Sequence, residues 1–138
     1  MEFFFYGTLM DTDVLAAVIC RRVAPARLRP AVIKGFRRVY RHNAVYPVLI
    51  PATGGVVDGV VVAGIGRVEA QRLVTFEGSG YGLDRRTVAV GDEQVAAFVF
   101  LPRPDVQATD EEWSFEQWLL REKPAYIRRV RALDLGRV

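Results

Sequence analysis

The chain of 138 residues has the usual length of one domain, and we expect a single domain over residues 1–138. Its 51% hydrophobic and 25% charged residues exclude disorder over most of the chain, and its net charge of +3 is mild. The basic residues are scattered along the sequence, so we predict no nucleic-acid partner. No run approaches the roughly 18 apolar residues of a membrane span and no signal peptide is evident, so we expect no membrane partner and a cytoplasmic location.

Cys20 is the single cysteine and His42 the single histidine of the chain. One cysteine cannot form an internal disulfide, and its apolar helical context predicts a small buried core residue. No His/Cys cluster has the spacing of metal ligands, so we predict no metal site. A nucleophilic triad would have to be built on His42, and no serine lies in a nucleophile-elbow context.

The first predicted unit is a strand, a glycine loop and a helix. Phe3–Tyr6 is a short aromatic run typical of a buried strand, and Gly7-Thr8 interrupts it. Asp11-Thr12-Asp13 offers N-cap residues for a helix whose apolar residues recur at helical spacing: Val14, Leu15, Val18 and Ile19. The loop is then expected near a helix N-terminus, where free backbone N–H groups favour an anion.

The next part of the chain is rich in strand signals. Ala31–Tyr40 has strand-like content, with Gly35 as a predicted bulge. Tyr46–Pro51 is a short extended piece whose prolines confine it to an edge or a non-ladder position. A turn over residues 53–55 is predicted to separate it from Val56–Ile65, the clearest strand in the sequence.

The second half combines a short helix, a hairpin and a helical end. Val68–Phe76 is predicted to be a helix that stops before Gly78, and Arg86–Val90 pairs with Gln94–Leu101 in a predicted hairpin. Pro102-Arg103-Pro104 is predicted to end the sheet region.

The C-terminal part is predicted to be helical. Thr109 and Glu112 form a capping box that predicts a helix carrying Trp113 and Trp118 as core residues, and Pro124 begins the last helix. Because turns or loops separate most of the strands, the pattern favours an α+β fold with a curled, largely antiparallel or mixed sheet.

Glu77 is the first candidate for chemistry, in Phe76-Glu77-Gly78. A carboxylate between an apolar helix end and a glycine turn can be semi-buried, which would raise its pKa towards neutrality and suit a general acid/base. The local pattern alone favours a surface glutamate at a helix C-terminus. A helix C-terminus disfavours negative charge, however, so a function would explain this placement.

Tyr6-Gly7-Thr8-Leu9 is the second candidate, since its backbone N–H groups and a hydroxyl could receive a substrate carboxylate. The alternative is an ordinary turn between strand and helix. Tyr81 and Tyr46 are candidate pocket walls, with core or rim positions as the alternative.

An ordered set of segments spans about residues 3–101: Phe4–Leu9, Tyr46–Pro51, Val57–Val62, Leu73–Gly78 with Tyr81, and Arg85–Val90. In this order they resemble the γ-glutamylcyclotransferase-like superfamily, especially its γ-glutamylamine cyclotransferase and plant avirulence-induced branches. The resemblance implies a small mixed, largely antiparallel β-barrel flanked by helices.

The resemblance also implies a reaction, the release of 5-oxoproline and an amine or amino acid from a small γ-glutamyl substrate without metal or organic cofactor. Glu77 would be the general acid/base, and Tyr6, Gly7, Thr8, Leu9 and Tyr81 would bind the substrate. The alternatives are a non-catalytic small-ligand-binding or regulatory module on the same fold, or another acid/base reaction in the same pocket. We expect a monomer or a homodimer.

Overall fold

A closed five-stranded barrel forms the centre of the computed structural model, which describes residues 1–133. Its strands, in chain order, are β1 (Phe3–Phe5), β2 (Arg29–Arg41), β3 (Pro47–Val62), β4 (Tyr81–Val90) and β5 (Glu93–Pro102). They follow one another around the barrel in the order β3-β1-β5-β4-β2, and pairing of β2 with β3 closes it. Only the β1–β5 neighbours within the described barrel are parallel, so the predicted mixed, largely antiparallel β-barrel is confirmed.

Helices and one further strand surround this barrel. Strand β6 (Ala108–Glu112) extends the sheet beyond β2. The α-helices in residues 1–133 are α1 (Thr12–Ile19), α2 (Arg67–Glu77), α3 (Phe115–Arg121) and α4 (Lys123–Arg131), with short 3₁₀ turns at Thr8–Met10 and Pro25–Arg27. None of these helices is long and apolar enough to cross a membrane.

Strand β1 is aromatic throughout because both of its faces are buried. Alternate side chains of a strand point to opposite faces. Phe4 therefore packs inside the barrel with Ile33 and Val99, whereas Phe3 and Phe5 pack on the outside against the helical layer. The loop that follows β1 consequently begins at a fixed point between these two cores.

The long strands β2 and β3 confirm the predicted bulge and correct a predicted turn. Their pairing register shifts between Lys34 and Phe36, around Gly35 as expected. Lys34 pairs with Val56, whereas Phe36 pairs with Pro51. Residues 53–55 therefore belong to an irregular stretch within one continuous strand, and the predicted turn there is wrong.

Cys20 is exposed, so its predicted burial in the core is wrong. Helix α1 ends at Ile19, and Cys20 is its C-cap in the left-handed conformation, with φ 59°. The apolar helical spacing therefore stops one residue earlier than the sequence suggested. The thiol lies at the surface, where Arg72 Nη2 donates to its Sγ at 2.9 Å.

The predicted capping box at Thr109 and Glu112 is also wrong, because both residues lie in β6. Thr109 Oγ1 donates to the carbonyl of Tyr40 instead of capping a helix. The helix begins later, at Phe115, where Ser114 accepts from the Gln117 amide. The sheet region thus continues past residues 102–104, where it was expected to end.

Candidate active site

One cavity of about 290 Å³ opens where the end of α2, the loop after β1 and helix α4 meet. The predicted site residues all line it: Tyr6, Gly7, Thr8, Leu9, Glu77 and Tyr81. Tyr46 lines it as well, as expected of a pocket wall, whereas His42 is exposed in a turn outside it. The fold thus brings together segments from residues 6–9 and 77–81.

Glu77 is the last residue of α2, and Gly78 caps the helix with φ 81°, a conformation that favours glycine. The Glu77 side chain is half-buried and lines the cavity. Burial raises the pKa of Glu77 to about 8, and the positive charge of Arg41 opposes that rise. A carboxyl group with this pKa exchanges its proton near neutral pH, as a general acid/base must.

The loop after β1 is a tight turn whose hydrogen bonds occupy its carbonyl groups. Met10 and Asp11 donate their N–H groups to the carbonyls of Gly7 and Thr8, both at 3.0 Å. The turn therefore uses those carbonyls as acceptors and leaves the amides of Gly7, Thr8 and Leu9 outside its own hydrogen bonds. Gly7 also packs closely, since a Cβ there would lie 3.0 Å from Pro47 Cγ.

Two tyrosines, Tyr6 and Tyr81, line the cavity close to Glu77. The Tyr6 hydroxyl donates to the Phe100 carbonyl, and the Tyr81 hydroxyl donates to the Pro47 carbonyl at 3.0 Å. Burial raises the pKa of Tyr6 and Tyr81 well above the ordinary range, and the nearby charge of Glu77 adds to both shifts. These phenols therefore stay protonated, and their hydrogens are directed to the main chain.

Helix α4 supplies a wall that sequence reasoning did not assign to the site. Tyr126 and Arg129 line the cavity, and the Tyr126 hydroxyl lies 3.1 Å from Thr8 Oγ1. Burial raises the pKa of Tyr126 to about 12, with a smaller contribution from Glu77. The helical spacing of residues 126–130 indicated a core face but gave no sign that this face meets the loop after β1.

Arg41 is the other residue that the sequence did not reveal as part of the site. Its guanidinium lies 5.5 Å from the centre of the Tyr81 ring and is close enough to Glu77 to lower that pKa. A Cβ on Gly80 would lie 2.8 Å from Arg41 Nη1, so glycine leaves room for the guanidinium. Gly80 was visible in the sequence as part of the glycine-rich turn Gly78-Ser79-Gly80. That Arg41 packs against it could not be identified from the sequence.

The described residues contain no group of three His, Cys, Asp or Glu side chains arranged to hold a metal ion. The cavity brings together carboxyl, hydroxyl, guanidinium and amide groups of the protein. This set suits proton transfer and the binding of an anion.

A small closed barrel of this topology, with helices on its outer side, defines a γ-glutamylcyclotransferase-like fold. The family model described as "Gamma-glutamyl cyclotransferase, AIG2-like" matches residues 3–120. The chain belongs to this family, and the resemblance drawn from its sequence is confirmed.

Relatives and solved structures agree with this assignment. AIG2-like protein C from Arabidopsis thaliana is 32% identical over 132 residues, which cover 91% of this chain and 73% of that protein. AIG2-like protein D from the same plant is 32% identical over 135 residues, covering 93% and 85%. A solved gamma-glutamyl cyclotransferase has a TM-score of 0.62 at 12% identity, covering 100% of this chain and 90% of its own, which shows a shared fold.

Proposed function

We propose that the protein is a γ-glutamyl cyclotransferase, which releases 5-oxoproline and an amine or amino acid from a γ-glutamyl compound. The observation that supports this proposal most strongly is that Glu77, with its raised pKa, lines the same cavity as the loop of residues 6–9. Family membership supports an enzyme of this general type. The cavity of about 290 Å³ is at the small end of the range for small-molecule sites, which suits a compact substrate.

The reaction closes a ring within the substrate. The α-amino nitrogen attacks the γ-carbonyl carbon, a C–N bond forms, and the C–N bond to the leaving amine breaks. An ammonium group becomes a lactam N–H, so two protons leave the attacking nitrogen and two arrive on the leaving nitrogen. A single carboxylate between the two nitrogens can carry protons from one to the other.

In this proposal Glu77 is that carboxylate. Its ionised form accepts a proton from the α-ammonium group, which frees the nitrogen lone pair for attack. Its protonated form then donates to the leaving nitrogen. A pKa of about 8 keeps both forms accessible near neutral pH, as these alternating roles require.

The loop after β1 would hold the substrate in its folded conformation. The amides of Gly7, Thr8 and Leu9 would receive the α-carboxylate, and Tyr6 and Tyr81 would wall the glutamyl chain. An intramolecular reaction gains most of its rate from such orientation, because the two reacting groups already belong to one molecule.

The test is 5-oxoproline release from a panel of γ-glutamyl amines and γ-glutamyl amino acids, with Glu77→Gln as the diagnostic variant. The amide keeps the size of the side chain but cannot exchange the proton, so we expect kcat to fall about 10²- to 10⁴-fold. Glu93→Gln is the matched control, since Glu93 is exposed in the β4–β5 hairpin away from the cavity. In the wild type, kcat/KM should rise with pH as Glu77 ionises around pH 8.

Two results would contradict the proposal in different ways. Full activity of Glu77→Gln would show that the protein catalyses the reaction without Glu77 as its general acid/base. Binding of γ-glutamyl compounds without turnover by the wild type would instead favour the non-catalytic ligand-binding module.

A further inference from the structure

Arg38 lies behind the cavity, on β2, with its side chain only 14% exposed. Its guanidinium group lies 5.5 Å from the centre of the Trp113 ring. Nη1 donates to the carbonyl of Tyr6 at 3.0 Å and to the carbonyl of Asp58 at 2.8 Å, while Nη2 donates to Asp58 Oδ1 at 2.9 Å. One buried cation therefore joins the end of β1 to the middle of β3.

The contact with Tyr6 occurs where β1 leaves the sheet. The β1–β3 ladder ends with Phe5 opposite Val60, so the Tyr6 carbonyl lies just beyond the last paired residue. Arg38 takes over as the hydrogen-bond donor at this point. The side chain thereby fixes the chain at its entry into the loop.

Fixing that carbonyl also fixes the next amide. No described peptide bond is cis, and in a trans peptide the C=O and N–H point in opposite directions. Because the Tyr6 carbonyl faces Arg38, the N–H of Gly7 is directed away from Arg38. Gly7 and Thr8 line the cavity, whereas Arg38 lies outside it.

We propose that Arg38 is a positioning residue, which holds the Tyr6–Gly7 peptide so that the Gly7 amide receives the substrate carboxylate. The inference rests on the proposed function for the identity of the substrate. The positive charge on the carbonyl side also polarises the peptide, which strengthens its N–H as a donor to an anion. Arg38 does not touch the substrate and acts only through this peptide.

The ion pair with Asp58 does not explain why this arginine is buried. The Asp58 side chain is 80% exposed, and exposed ion pairs contribute little. The Tyr6 carbonyl is a part-buried acceptor, and a lysine ammonium could not present the same planar set of donors to both main-chain carbonyls.

Arg37 provides a matched control on the same strand. It is adjacent in sequence, and its Nη2 also donates to a main-chain carbonyl, that of Asp110, at 3.3 Å. That carbonyl belongs to β6 and does not line the cavity. Arg37→Met and Arg38→Met therefore each remove a guanidinium and its hydrogen bond to a main-chain carbonyl. Only the Arg38 contact adjoins the loop after β1.

The experiment follows the Gly7 amide resonance of the ¹⁵N-labelled full chain during titration with 5-oxoproline, whose carboxylate is the probe. In the wild type and in Arg37→Met we expect a large downfield shift of the Gly7 proton and the same Kd. Arg38→Met should reduce that shift and weaken binding about tenfold, and Arg38→Lys should lie between them. An unchanged Gly7 shift and Kd in Arg38→Met would overturn the proposal, as would a wild-type Gly7 resonance that does not respond.

Arg38→Lys decides the question if Arg38→Met does not fold, because an unchanged Kd in the lysine variant also overturns the proposal. Steady-state kinetics give a second readout on an active substrate. Carboxylate anchoring acts in the ground state and the transition state alike, so Arg38→Lys should raise KM more than it lowers kcat. If the wild type releases no 5-oxoproline, the proposed function fails, whereas the titration still tests Arg38 by itself.

Discussion

Glu77 ends α2 half-buried at the cavity, and desolvation there raises its pKa from the ordinary 4.5 to about 8. The folded protein therefore holds this proton more tightly than the unfolded chain does. Between these two pH values the unfolded chain has lost the proton and the folded protein has kept it. The free energy of unfolding consequently falls as the pH rises through this window.

The neutral amide of Glu77→Gln should remove that dependence. We expect the variant and the wild type to be similar in stability at pH 5, with the variant more stable by on the order of 3–5 kcal/mol at pH 9. Urea unfolding at both pH values measures the difference, with Glu93→Gln as the exposed control. A constant difference between Glu77→Gln and the wild type across this range would show that the carboxyl is not held protonated by burial.

The site was visible from the sequence only in part. Glu77 could be proposed because a carboxylate beside a glycine turn at a helix end is unfavourable without a function. Arg41 could not be proposed from the sequence, because its effect on the pKa of Glu77 depends on β2 ending beside Gly80, thirty-nine positions away in the chain. Local spacing carries no information about a contact of that kind.

Secondary structure elements were predicted best where one periodicity dominated. Helix α2 and the hairpin of β4 and β5 follow apolar patterns from which both were identified. Strand β4 begins at Tyr81, however, five residues before the predicted start at Arg86. Strand β6 was missed because its sequence, Ala108–Glu112, is mostly polar and, among the described strands, it pairs with β2 alone. An edge strand with exposed side chains gives no alternating apolar signal.

The boundary between β6 and α3 gives a sharp test at this scale. Ser114→Ala removes the side chain that accepts from the Gln117 amide, so we expect a loss of about 1 kcal/mol in stability. Glu112→Ala should change stability by less than about 0.5 kcal/mol, because Glu112 is exposed and its ion pair with Arg37 is weak. Chemical unfolding of both variants measures this. The reverse order of effects would restore the helix start at Thr109.

The helical layer and the outer face of the barrel share one apolar cluster. Trp118 is 1% exposed in α3 and meets the Tyr126 ring edge-on at 5.3 Å, and Tyr126 in turn contacts Thr8 beside β1. The Trp113 indole N–H donates to the Val45 carbonyl at 2.9 Å. Trp113 does not line the cavity. The two tryptophans of the sequence thus lie in the C-terminal segment, at its junction with the barrel.

This arrangement predicts that the chain unfolds as one cooperative unit. Tryptophan fluorescence reports on the C-terminal segment, whereas far-ultraviolet circular dichroism reports largely on the long strands of the barrel. Because Trp118, Tyr126 and Phe5 belong to the same apolar cluster, loosening the helices would expose the barrel's outer face. The two signals should therefore give the same urea midpoint and slope, as expected for a single domain. A fluorescence transition at lower urea would show that α3 and α4 detach first, and α4 would then be a separable wall of the cavity.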